Sequence, residues 1–283
     1  MAIRIVTDSV ADLPPDVARA NEISVVPLYV LIGGEAFRDG IDIDADAFYS
    51  RLITLAKLPT TSQPSALDFA DVYRRLIDQG HDIVSIHVSS KLSGTLNSAE
   101  LAKSAIGEPH RIEIVDSLLA GGSQGLLTLS ASGWAKEMTS HIDVAQRVRE
   151  SASANFGYIT VDTLKYLKMG GRIGKAQAFL GGLLDFKPIV CVRDGEVHPV
   201  ERPRTRRRAI ARLTSIVRDL APIRSLHVSY TTGAQDAVVI RDALADLVDP
   251  DALVESRFGP VLGTHLGPNT IGVAVTRANS AGY

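Results

Sequence analysis

A single cysteine, Cys191, is all the thiol chemistry that 283 residues offer. No intrachain disulfide can form, and no cysteine cluster exists to hold a structural zinc. Cys191 sits in the apolar run KPIVCV, which reads as a buried strand, so a small core residue is the expectation for it. Charge of either sign is not in excess. The formal net charge is −2, which is not the footprint of a general nucleic-acid binder. Long hydrophobic runs are scarce. One long uncharged stretch, SLLAGGSQGLLTLSASGWA from residue 117 to 135, has the length of a membrane span. It carries three glycines before Leu126 and a polar residue every few positions, so a helix packed inside the protein is expected instead of a membrane insertion. Asp8 falls too early to leave room for the apolar region of a signal peptide. The expectation is a cytoplasmic protein.

Metal-binding patterns are also missing. The seven histidines are scattered. The aspartate-rich run DGIDIDADAF lacks the glycine placement and distal glutamate of a calcium loop. LKMGGRIGK resembles a phosphate loop only loosely, because the Walker spacing is not met, and the dinucleotide glycine fingerprint is absent too. No metal and no cofactor is expected. What is present suits a large folded protein: 45% apolar residues to build a core and 22% charged residues, near the soluble average. The length suits two domains.

The first half alternates strand and helix signals. IRIVTDS is a β-branched run, followed by DLPPDVARAN, a loop entering a short helix with prolines at its first turn. ISVVPLYVLI reads as a second strand. After TTSQP comes an amphipathic helix with a capping box at Ser65 and Asp68 and a stop at Gly80. DIVSIHV, TLNSAELAKSA, HRIEIVD, SQGLLTLSASGWAKEM and DVAQRVRESA continue as strand, helix, strand, helix, helix. This alternation implies parallel strands with crossover helices. Such sheets bind ligands beyond the carboxyl ends of their strands. Three such ends are rich in polar residues: TDS at 7–9, SSKLSGT at 89–95 and VDS at 115–117. The second half holds YITVDTLKYLKMGGRIGK, then Asp194–Gly195 between two apolar runs, a hairpin signal. A basic helix, the strand SLHVSY, another helix and two more strands follow. The fold class is therefore α/β with two α/β domains: residues 1–155 with a mostly parallel sheet, and residues 156–283 with a mixed sheet.

SSKLSGTLNSA raises the main chemical question. Gly94 lets the backbone approach a ligand, Ser93 and Thr95 add hydroxyls, and the helix start adds unpaired amides at the positive end of the dipole. Together these can hold an anion without formal charge, or can simply cap the helix. A nucleophilic Ser93 would need a base. The hydrolase elbow is absent, since Lys91 stands two residues before Ser93. His87 lies in a strand, expected to point into or across the sheet. A Ser93–His265–Asp116 set is conceivable. Thr61 could join Ser93 in donating to one ligand. His265 lies in GTHLGPNTIGV, read as a loop between Gly263 and Gly267 that comes close to its ligand. The dense basic run ERPRTRRRAIAR, with Arg204, Arg206, Arg207 and Arg208, has no interleaved aromatics. It fits a solvated face, an anionic group or a partner protein better than nucleic acid.

TDSVADLP, TSQPS, KLSGTLNSA, VDS, DTLKYLKMGGRIGK, KPI and HLGP occur here in order. Together they resemble the DegV family, the fatty-acid-binding component of bacterial fatty acid kinase systems, from Thr7 to about Gly272. The resemblance implies two α/β domains enclosing a tunnel for one long-chain fatty acid. It implies that hydroxyls and a histidine at Thr61, Ser93 and His265, with Gly94 and Thr95 beside them, hold the carboxylate. It implies a non-catalytic protein, with a separate kinase subunit converting the bound carboxylate to an acyl phosphate. Arg172 and Arg202 would then handle phosphate or dock that kinase. Leu96 stands where the family often has an aromatic residue, which bears on tunnel width. Asn269 stands where glycine is usual, and asparagine tolerates positive φ. A serine esterase using Ser93 and His265, and a small-molecule kinase with its own nucleotide site, are the competing readings.

Overall fold

In a computed structural model the described residues are 2–180 and 186–278. Thirteen strands are present among them: β1 (Ile3–Asp8), β2 (Ile23–Val26), β3 (Tyr29–Ile32), β4 (Glu35–Arg38), β5 (Thr60–Ser62), β6 (Asp82–His87), β7 (Ile112–Asp116), β8 (Asn155–Thr160), β9 (Ile189–Arg193), β10 (Glu196–Glu201), β11 (Ile223–Tyr230), β12 (Leu253–Arg257) and β13 (Ile271–Arg277). They form three sheets, ordered β2-β1-β6-β7, β10-β9-β8-β13-β11-β12 and β4-β3-β5. The first is wholly parallel. The second is mixed, antiparallel except for β11 with β12. The α/β class and the contrast between a parallel and a mixed sheet agree with the sequence pattern.

Local rules account for most elements. Ser65 accepts from the Asp68 amide while Asp68 accepts from the Ser65 amide, closing the capping box of helix Ala66–Asp78. The Asp194–Gly195 turn has φ of 51° and 79°, the double positive value that a tight hairpin between β9 and β10 requires. Asn269 also takes positive φ, 56°.

Three differences from the sequence reading have physical causes. ISVVPLYVLI is two strands, not one. Pro27 lacks the amide a continuing ladder needs, and the chain leaves the parallel sheet at Val26 to open the small sheet at Tyr29. Residues 60–62, read as loop, form β5, which pairs antiparallel with β3. His265 is not in a loop. It lies on helix Pro260–Leu266, with proline at its first position and Gly267 (φ 75°) ending it. Gly263 inside that helix is a packing requirement, because a Cβ there would meet the Tyr49 hydroxyl at 2.5 Å and Phe48 at 2.8 Å.

The uncharged stretch is the helix Gly122–Glu137, packed between the two larger sheets. Leu127, Ala131 and Trp134 join the core of the parallel sheet. Its start is bare of side chains where it is most crowded: a Cβ on Gly125 would lie 2.5 Å from the Ala11 carbonyl. Among the described residues no helix is long and apolar enough to cross a membrane.

Candidate functional site

A cavity of about 240 Å³ lies where the sheets meet. Its walls come from the loops after β1 and β6 (Val10, Val88, Leu92), from β5 (Thr61), from helix Pro260–Leu266 (Val261, Leu262, His265, Leu266) and from the mixed sheet (Ile159, Val190, Val273). Most of this lining is apolar. At a liquid share of about 30 Å³ per water, this space holds several water-sized groups, and its apolar lining suits an alkyl ligand.

One cluster on the wall is polar. Thr61 Oγ1 lies 2.8 Å from His265 Nε2. Ser93 Oγ lies 2.8 Å from Thr95 Oγ1 and accepts from the Thr95 amide at 3.3 Å. Gly94 is the N-cap of helix Thr95–Ser104 and has no side chain to cap it. Ser93, one residue earlier, takes the Thr95 amide in its place, so part of the ordinary capping role is present beside the remaining first-turn amides. Thr95 is fully buried and reaches the cavity only through Ser93.

His265 Nδ1 is buried without a hydrogen-bond partner, against the α-carbon of Gly170, where a Cβ would collide with the ring. An unpaired N–H there would cost more than an unpaired lone pair, so the proton belongs on Nε2, facing Thr61. Burial, and then the positive charge of Arg172, hold the imidazole pKa down to about 4. The ring is neutral at pH 7 and can donate one hydrogen bond.

Two side chains join this cluster that residue-level reasoning had placed elsewhere or passed over. Arg172 borders the cavity, its guanidinium fixed by donation to the carbonyls of Leu92 (3.0 Å) and Gly170 (2.7 Å). The polar part of the wall thus carries one formal positive charge. Gln63 lines the cavity and occupies the space a Cβ on Gly94 would need, donating to Ser98 Oγ at 3.3 Å. Its signal was its position before Pro64, which favours extended backbone, inside the same hydroxyl-rich stretch as Thr61.

Other expected residues stand apart. The polar groups of TDS and VDS are engaged within the fold and do not face the cavity. Asp8 accepts from the amides of Val10 and Val88 and lies 3.0 Å from His87 Nδ1, whose Nε2 is 2.7 Å from Ser85 Oγ. Tyr73 donates to that serine at 2.8 Å. Asp8, Ser85 and His87 are fully buried. They resemble a catalytic triad in connectivity, yet none lines the cavity; they fix the loops that carry Val10 and Val88. Asp116 accepts from Ser90 and Leu118, so no Ser93–His265–Asp116 relay is assembled: His265 Nε2 turns to Thr61. Leu96 packs against the core between helices Ala66–Asp78 and Thr95–Ser104 and does not line the cavity. Arg202 is exposed, stacked on Phe179 (4.7 Å) and Phe186 (5.9 Å). In the basic run, Arg206 donates to Asp236 and to the Asn269 carbonyl. Among the described residues no three His, Cys, Asp or Glu side chains converge as a metal set.

The fold and site define an α/β protein with a parallel and a mixed sheet around an apolar cavity, whose polar cluster combines hydroxyls, an imidazole and one guanidinium. The family model described as "Uncharacterised protein, DegV family" matches residues 2–278, and the chain belongs to the DegV family. A DegV domain-containing protein of Deinococcus radiodurans is 36% identical over 282 residues, covering 97% of this chain and 98% of that one. Among solved structures, a fatty-acid-binding DegV family protein from Thermus thermophilus superposes with a TM-score of 0.91 at 34% identity, covering 98% and 100% of the two chains. DegV of Bacillus subtilis, a fatty acid binding protein, gives 0.87 at 32%, covering 98% and 100%.

Proposed function

We propose that this protein binds one long-chain fatty acid in the cavity and presents its carboxylate to a separate kinase subunit, which converts it to an acyl phosphate. The observation that carries this is the pairing of a largely apolar cavity with the polar side chains of Thr61, Ser93, Arg172 and His265 on its wall. Burying a methylene is worth about 0.8 kcal/mol, so ~15 of them supply on the order of 12 kcal/mol. That gain offsets the immobilisation of chain and head group. A carboxylate is costly to bury unless it is hydrogen-bonded. Thr61 and Ser93 hydroxyls and the Nε2–H of His265 supply charge-assisted bonds of about 1.5–3 kcal/mol each.

The donors also suit phosphorylation. A neutral imidazole and two hydroxyls donate to the carboxylate directly, and the one cation beside them, Arg172, already donates to two carbonyls, so an oxygen keeps nucleophilicity toward phosphorus. In the transfer that oxygen forms the new P–O bond as the bond to the nucleotide leaving group breaks. Arg172, pinned by two carbonyls, stands ready for developing phosphate charge. Arg202, held rigid on two phenyl rings, is assigned to docking of the kinase. The protein itself performs no catalysis in this scheme, needs no cofactor, and works in the cytoplasm. The N-terminal 1–155 and C-terminal 156–283 units each contribute one wall of the tunnel.

Denaturing solvent extraction of the purified protein, with mass spectrometry of the extract, tests the reading. Near-stoichiometric long-chain fatty acid is the expected result. A folded protein that yields none, and takes none up when supplied, refutes it. Ser93→Ala is expected to weaken binding or acyl-phosphate formation; wild-type behaviour in both would remove Ser93 from the cradle.

A further inference from the structure

Where β12 runs into the helix that carries His265, side chains from far earlier in the chain take hold of it. Asp46 pairs with Arg257. Tyr49 donates to the Phe258 carbonyl at 2.9 Å, and Asp12 Oδ1 accepts from the Gly259 amide at 2.8 Å. Asp39 lies against the same glycine. A Cβ on Gly259 would stand 3.0 Å from Asp39 Oδ1, 3.4 Å from its Oδ2 and 3.5 Å from Asp12 Oδ1. Two carboxyl groups thus meet under one stretch of backbone, with Asp12 9% and Asp39 6% exposed. No donor reaches Asp39 Oδ1.

The groups around the pair supply no counter-charge. Arg257, 5.1 Å from the centre of the Tyr49 ring, is engaged by Asp46 and by the Thr231 carbonyl. Beside Asp39 in the chain, Arg38 is paired with Asp42. Asp8 adds negative charge toward Asp39. Burial holds the Tyr49 phenol well above its ordinary range, so it stays neutral. His227 reaches Asp12 through Ser256, at 2.8 Å and 3.5 Å, and burial holds that imidazole down to about 4, also neutral. Two adjacent carboxylates in a dry place cannot both ionise cheaply. The oxygen that no donor reaches is a place for a proton. Backbone at Gly259 lies against both groups, so solvating a second charge requires that segment to lift. His265 rides on the helix that begins there.

We propose that Asp12 and Asp39 are positioning residues that share a proton, and that this proton keeps the segment 258–261 seated and so holds His265 beside Thr61 for the carboxylate. The effect on ligand rests on the fatty-acid reading above. The sign follows from burial. It pushes Asp12 well above the usual carboxylate range, opposed by the Gly259 amide and aided by the charge of Asp39. It pushes Asp39 up to about 7, opposed by the Ser9 hydroxyl and the Val261 amide. The folded chain therefore holds protons that the unfolded chain has released, and the seated form loses its advantage as pH rises through about 7.

Two readouts test this. Titration of delipidated protein with a long-chain fatty acid at pH 6.0 and 8.5 reads affinity. Amide exchange from Gly259 to Leu266, corrected for its intrinsic pH dependence, reads the segment without ligand. For wild type, Kd is expected to rise about tenfold between the two pH values, because apparent affinity falls with the fraction of molecules whose site is formed. Protection should fall with it. Asp39→Asn and Asp12→Asn each keep the shape and remove one charge, and are expected to retain at pH 8.5 the affinity and protection they show at pH 6.0. The acid's own titration is common to all three proteins and cancels in the comparison. Variants that fall in parallel with wild type, or a wild type flat in both readouts, overturn the proposal and leave the fatty-acid reading standing. If one variant fails to fold, the other decides. A wild type that takes up no acid at either pH overturns the fatty-acid reading itself and this proposal with it.

Discussion

Replacing Thr61 with valine removes one hydroxyl and keeps the shape of the side chain. Thr61 Oγ1 is the partner of His265 Nε2 at 2.8 Å. On the proposed reading, that hydroxyl donates to a carboxylate oxygen and the imidazole donates beside it. Thr61→Val deletes a bond of about 1.5–3 kcal/mol. At 1.4 kcal/mol per decade the dissociation constant of a long-chain fatty acid should rise roughly 10- to 140-fold. Calorimetric titration of delipidated protein measures this directly. The control is a fatty alcohol of the same chain length. It occupies the same apolar walls but offers no charge, so the variant should cost it well under tenfold. A Thr61→Val protein that binds acid and alcohol with unchanged affinity would show that the head group lies elsewhere. Equal losses for both ligands would mean that the substitution deforms the cavity without removing a carboxylate contact.

Three further outcomes follow from other parts of the molecule. His265 titrates near 4 when folded and near 6.5 when unfolded, so it contributes nothing above pH 6.5. As pH falls from 6.5 to 4 the unfolded chain takes a proton that the native ring refuses, and stability drops by about 3 kcal/mol. Urea unfolding of wild type and His265→Gln at pH 7.5 and 4.5 checks this; the variant should lose less on acidification, and equal losses would remove His265 as the source. Leu213, fully buried in the core between the mixed sheet and its outer helices, should cost about 2–5 kcal/mol as alanine, read as a lower denaturation midpoint; a loss under 1 kcal/mol would mean that core collapses around the gap. Gly195→Val should undock the hairpin, because φ there is 79° and a Cβ would lie 2.5 Å from Ser89 Oγ; faster amide exchange across β9 and β10 is the expected readout, and unchanged protection would refute the latch.

What could be read from the sequence was what short-range physics controls. Capping at Ser65, the turn at Asp194–Gly195 and the parallel strands β1, β6 and β7 all follow from residues within one turn or one strand of each other. The failures share a different cause. Thr60–Ser62 becomes a strand only because β3 lies beside it, and three polar residues carry no alternation strong enough to announce that. Helix Pro260–Leu266 was hidden by Gly263, which reads as a breaker until Tyr49 is seen pressed against it.

The site divides the same way. Hydroxyls crowded at a strand end mark Ser93 from sequence alone, because a helix start with a glycine is a local object. That Thr61 faces His265 across 204 residues is a tertiary fact, and so is the entry of Arg172 into the cavity wall. Its two carbonyl partners, Leu92 and Gly170, come from opposite sides of the cleft. Arg172 therefore ties the serine-bearing turn to the segment behind His265, while its charge adds to the burial that keeps that ring neutral. A residue that both joins the two walls and reinforces the neutrality of the donor between them cannot be recognised from its neighbours in the chain. Its role exists only once the walls have met.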